Sequence, residues 1–163
     1  MLETASGLAF DDAALERWRA NVAAARAALG WPQGEIVARK HRTGASLAFA
    51  APLDQLYAAT EVNEWAWASA LTMEPALLHA PGHAAPWDAD SALHSLRALA
   101  AAEANPALLA LRDAADARSL PFLPDDDELS IGAGVGGRTW PVTELPTPDQ
   151  VEWNALHAIP TAL

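Results

Sequence analysis

The sequence predicts an α+β domain: a small mixed sheet, built from a hairpin at about 35–51 and extended segments at about 120–140, covered by four helices. Three observations lead there. Apolar residues from Asp12 onward recur at steps of three and four, the repeat of one helical face. Leu47, Phe49 and Ala51 alternate with the period of a half-buried strand. The extended stretches fall in two blocks around a helical middle, an order that favours α+β over a wound parallel sheet.

The first helix is expected over 12–30, with Leu15, Trp18, Val22, Ala25 and Leu29 on its buried face. Asp11 or Asp12 caps its start, and Gly30 and Pro32 end it. In the hairpin that follows, "EIVARKHRTGASLAFAAP" is split by Arg42, Thr43 and Gly44. Pro52 then opens a second helix, 53–73, whose positive end Asp54 complements. This helix is apolar on nearly every side. Leu53, Leu56, Tyr57, Trp67 and Leu71 fill one face and Val62, Trp65, Ala66, Ala70 and Met73 another, which predicts a central helix between two layers. Pro75, Pro81 and Pro86 mark an irregular stretch suited to a mobile loop. Helices at 90–104 and 106–118 are separated by Asn105 and Pro106, and 149–156 reads as one more helix.

Composition narrows the function classes. The 163 residues, 52% of them hydrophobic, suffice for one core, so a single domain is expected. A net charge of -11 repels phosphate backbones and anionic lipid, which argues against nucleic-acid and membrane partners. The absence of cysteine excludes disulfides, thiolate metal sites and a cysteine nucleophile. No apolar run approaches the ~18 residues that span a bilayer, and no basic leader precedes the first apolar residues, so a cytoplasmic protein is expected.

Four groups of residues have the types that chemistry uses. In "GAGVGG", Gly132, Gly134 and Gly137 match the dinucleotide fingerprint by spacing. That motif works through a helix starting directly behind it, and Arg138, Thr139, Trp140 and Pro141 follow instead, so the stretch reads as a glycine-rich turn between strands. His79, His83 and His94 with Asp88 and Asp90 have ligand chemistry for zinc, but "HAPGH" has no helix to fix ligand spacing, and solvated loop histidines are expected. Asp125, Asp126, Asp127 and Glu128 lack the glycine and trailing glutamate of a calcium loop and read as a charged turn. In "TEVNEWAW", Glu61, Asn63 and Glu64 interrupt an apolar helix, where polar groups must be paired, exposed or functional.

The chain ends on "HAIPTAL", which reads as the opening of a buried strand. "LHAIPTAL" resembles the stretch that, in Mur-ligase-type enzymes, runs as a strand into the glycine-rich ATP loop G-T-N-G-K-T. "TEVNEWAW", "DDDELSIGAG" and "RTWPVTELPTPDQVEWNAL" resemble the N-terminal region of bacterial Mur ligase-like proteins related to cyanophycin synthetase. "RSLPFLPDDDELSIGAG" is similar to the entry of cyanophycin synthetases into their ATP-grasp module. The likeness extends from about Ala38 onward.

The resemblance implies residues 1–148 as an N-terminal α+β domain, and 149–163 as a linker helix and first strand of an ATP-binding domain lying beyond. It implies ATP and magnesium for the full-length parent, which activates a carboxylate as an acyl phosphate for attack by an amine. The phosphate cradle, lysine and magnesium-binding hydroxyl of that chemistry have no counterpart in residues 1–163, so no catalytic residue, cofactor site or metal site is assigned. The expected role is to position substrate or to dock the catalytic domain, with Glu61, Asn63, Glu64 and Arg138 as substrate or interface candidates. Expected partners are the C-terminal ligase domain and, as a further option, a second copy of the chain. The alternative is a stand-alone acidic α+β binding module without catalysis.

Overall fold

The computed structural model describes residues 1–4, 10–71 and 89–157. Among these residues it is an α+β protein with four α-helices, as expected. The strands fall in two separate three-stranded antiparallel sheets, where one mixed sheet was expected, and the chain divides into two compact units, 1–104 and 105–163. Each block pairs mainly with itself across short connections, 36–41 with 44–49 in the first and 122–124, 128–131 and 138–141 in succession in the second, so each closes a sheet of its own.

In the first unit, β1 (Leu2–Glu3), β2 (Ile36–His41) and β3 (Gly44–Phe49) form a sheet in the order β1-β3-β2. Helices α1 (Asp12–Leu29), α2 (Leu56–Leu71, entered through a 3₁₀ turn at Leu53–Gln55) and α3 (Ala89–Glu103) complete the unit. The ends of α1 follow from single residues. The Asp11 carboxylate accepts from the Ala14 amide at 2.7 Å. Gly30 takes φ 69°, and its amide and that of Trp31 donate to the Ala27 and Arg26 carbonyls, a Schellman closure that favours glycine. The hairpin pairs Ile36 with Phe49 through to His41 with Gly44, leaving Arg42 and Thr43 as its turn.

Helix α2 is central. Ala66, Trp67 and Ala70 pack with Leu15, Trp18 and Val22 of α1 and with Ala45 and Leu47 of β3, while Ala58 and Val62 pack with Ala25, Trp31, Leu96 and Ala100. Small residues at 58, 66 and 70 let neighbouring elements approach, so bulk comes from opposite partners. Leu56 and Tyr57, expected on a buried side, are instead 53% and 61% exposed. They occupy the first turn, where the Glu103 carboxylate of α3 accepts from the Tyr57 and Ala58 amides, both at 2.8 Å. A carboxylate there meets free amides and the positive helix end together.

The second unit opens with α4 (Pro106–Asp116), started by the Asn105 side chain accepting from the Leu108 amide at 3.1 Å and by Pro106 in the first turn. Strands β4 (Phe122–Pro124), β5 (Glu128–Ile131) and β6 (Arg138–Pro141) form a meander in that order. Leu108, Leu111 and Ala115 of α4, Leu129 and Ile131 of β5, and Val151 are buried. The acidic run Asp125–Asp127 is the exposed turn between β4 and β5, as its composition suggested. The helix expected over 149–156 is replaced by two 3₁₀ turns, Pro148–Gln150 and Trp153–Ala155. Val151 between them is extended, at φ -88° and ψ 127°, and its buried side chain holds the chain down at that break.

Candidate functional site

The residues singled out from sequence do not converge. Successive positions on an α-helix rotate by about 100°, so Glu61, Asn63 and Glu64 face three directions. Glu64 is exposed and Glu61 half-buried. Asn63 is buried, its Oδ1 accepting from Trp18 Nε1 at 2.9 Å and its Nδ2 donating to the Leu47 carbonyl at 3.1 Å. It joins α1, α2 and β3 and has no surface to offer a ligand. Arg138 begins β6 in the other unit, exposed, with its guanidinium 5.7 Å from the Trp140 ring centroid.

The glycine-rich segment is a turn, with its 3₁₀ portion at Gly134–Gly136 leading directly into β6. Its small residues answer to a neighbour from the same chain. The His157 carbonyl accepts from the Ala133 amide at 2.9 Å, and the His157 amide donates to the Gly136 carbonyl at 3.2 Å. A Cβ on Gly136 would stand 2.4 Å from the His157 Cγ, and one on Gly132 2.8 Å from the Gly136 carbonyl oxygen. Gly132 also takes φ 91°. The glycines therefore admit the returning chain at His157, and the space a phosphate would need beside Gly136 is filled by that side chain.

His79, His83 and Asp88 lie outside the described residues, as do Pro75, Pro81, Pro86 and the closing "AIPTAL". Asp90 and His94 are exposed on α3, and among the described residues no three His, Asp or Glu side chains gather in a way that suits a metal ion. Among those residues, too, no helix is long and apolar enough to cross a membrane.

The second unit carries an open groove of about 650 Å³ that the sequence did not disclose. Arg118, Val151, Glu152, Trp153, Asn154 and Ala155 line it. The Arg118 guanidinium lies 4.5 Å from the Trp153 ring centroid, a cation–π stack, and its Nη1 donates to the Ala114 carbonyl at 2.8 Å. Trp153 is fixed in turn, its Nε1 donating to the Pro148 carbonyl at 2.8 Å. The result is a guanidinium held on both sides, beside an exposed carboxylate and an exposed amide. In sequence the one signal was "VEWNAL", where charged, aromatic and amide side chains adjoin; its partner Arg118 stands far upstream.

Compared with known proteins, the chain matches no family model and no curated protein.

Proposed function

We infer that the chain is the non-catalytic, substrate-positioning or docking part of a cytoplasmic ATP-dependent amide-forming ligase of the Mur ligase and cyanophycin synthetase type. The observation that carries this reading is the His157 clasp on the glycine turn. Because the protein's own side chain fills that turn, "GAGVGG" is a structural seat, and on this reading nucleotide chemistry is the work of the parent's ligase domain. The same clasp fixes the backbone at 157, immediately before "AIPTAL", the stretch that resembles the strand leading into a Mur-type ATP loop. ATP and magnesium are then cofactors of the parent enzyme, and the partner of this chain is its ligase domain.

The test is to read the source gene through codon 163. A frame continuing within a few codons into a G-T-N-G-K-T-like loop is the expected result, and the longer product should hydrolyse ATP in the presence of an acid and an amine acceptor. A stop codon directly after Leu163 in an intact gene would overturn it. A second reading, a stand-alone acidic binding module, is favoured by the Arg118–Trp153 groove, whose oriented guanidinium and flat indole have the makings of a recognition site.

A further inference from the structure

We propose that the groove of the second unit binds an amino-acid-type zwitterion, a free α-amino acid or a short peptide, with its carboxylate on Arg118, its ammonium on Glu152 and its apolar part against Trp153 and Val151. The inference stands on the groove and does not depend on the ligase reading.

Three observations fix the ligand class. The first is preorganisation. Arg118 is already oriented by the Trp153 ring and the Ala114 carbonyl, and of its nitrogens only Nη1 is engaged in that bond, so Nε and Nη2 remain to donate to a carboxylate. A side chain held in this way loses little further freedom when a ligand arrives. The second is the opposite charge on the same groove. Glu152 is exposed and has no ion pair among the described residues, and Asn154 adds an amide able both to donate and to accept.

The third is the surrounding field. Residues 105–163 hold nine acidic and three basic side chains, so a simple anion approaching Arg118 is repelled by its surroundings. A zwitterion carries no net charge and satisfies both rims. The floor decides the rest: Val151 is buried beneath the groove and the indole is a flat apolar wall, surfaces that suit an aliphatic side chain better than a charged one.

The experiment is isothermal titration calorimetry of the full 163-residue chain with L-leucine, L-leucyl-L-leucine, N-acetyl-L-leucine and L-leucinamide. One of the two zwitterions should bind at a single site, and the tighter of them identifies whether the natural ligand is a free amino acid or a peptide. The acetylated form, lacking the ammonium, and the amide, lacking the carboxylate, should each bind at least about tenfold more weakly. The variants supply a crossed pattern that general damage would not produce. Arg118→Gln should abolish discrimination against leucinamide, and Glu152→Gln discrimination against N-acetyl-leucine, each leaving the far-ultraviolet circular dichroism unchanged. No binding of either zwitterion up to about 20 mM, a ceiling weaker than functional sites of this size show, overturns the proposal. Equal binding of the capped forms, or variants that weaken all four probes alike, overturns it too.

Discussion

The two units use the same polar residue types to different ends. In the first unit, arginine, asparagine and glutamate side chains close helix ends and join elements. Arg17 Nε donates to the Ala70 carbonyl at 2.8 Å at the end of α2, and Arg97 Nε to the Ala28 carbonyl at 3.1 Å at the end of α1. Arg26, 1% exposed, donates to the Gly34 carbonyl at 2.9 Å and to the Pro32 carbonyl. In the second unit, Arg118 and Arg138 instead lie over tryptophan rings at the surface. Arg26, buried among its carbonyl acceptors, presents no surface to a ligand, whereas Arg118 and Arg138 lie over indole rings where their guanidinium groups can be reached. Polar residues in the apolar middle of this chain therefore report architecture, and the recognition chemistry lies where arginine meets tryptophan near the surface.

That contrast breaks most sharply at Asn63. Asn63→Leu keeps the volume close but strands the Trp18 indole N–H in the buried core and takes the side-chain donor from the Leu47 carbonyl. One unsatisfied buried donor and the loss of a second hydrogen bond should lower the unfolding free energy by about 3 kcal/mol, read from urea denaturation followed by fluorescence. Ligand binding by the surviving folded fraction should be unchanged. A stability loss under about 0.5 kcal/mol would show that Asn63 does not hold the core together.

Gly136→Ala probes the second unit in the same way. The added methyl meets the His157 Cγ at 2.4 Å and Nδ1 at 2.5 Å, too close for a rotamer shift to relieve entirely. We expect a loss of about 1–3 kcal/mol, with faster amide exchange at Ala133 and His157. His157→Gly removes the side chain that the methyl strikes, so the double variant should recover much of the loss that Gly136→Ala causes. Additive effects in that cycle would refute the packing role assigned to His157. Smaller again is Glu103→Ala, which leaves the Tyr57 and Ala58 amides to water and should cost about 1–2 kcal/mol of stability.

Which of these features the sequence revealed depends on how far apart the partners lie. Asp11, Gly30 and the Arg42–Thr43 turn act on their immediate neighbours, and the helix and hairpin they delimit were readable directly. Trp18 and Trp67 lay in the core for the same reason, their place on a periodic face. Asn63 was visible as an anomaly but not as a solution, because Trp18 is 45 residues away. The glycines of 132–137 could be read as a turn from the proline behind them, yet their reason, His157, arrives only after β6 and three further turns. Arg118 gave no local sign at all: its meaning comes from Trp153, and nothing in the pattern of α4 points to it. The extended segment 149–156 misled because its apolar spacing is compatible with a helix, while Val151 is buried in a break between two short turns.

The smallest expected effect belongs to the edge of the first unit, where a charged residue does remain at the surface and still acts only on its own sheet. Glu3 pairs across β1 and β3 with Ser46, and its carboxylate accepts from His41 Nε2 at 3.1 Å when that nitrogen is protonated. The Ser46 hydroxyl chiefly holds the Glu3 carboxyl below its ordinary value of 4.5; desolvation opposes it, and the hydrogen bond and charge of His41 add smaller pulls downward. A depressed carboxyl favours the folded state wherever it is ionised in both states. Its contribution is therefore complete above about pH 4.5 and disappears as pH falls through the lower folded value. Carboxyl-detected NMR titration should place Glu3 below the other exposed glutamates, and Ser46→Ala should move it upward more than His41→Ala does. The reverse order would make His41, and not the cross-strand hydroxyl, the main hold on Glu3.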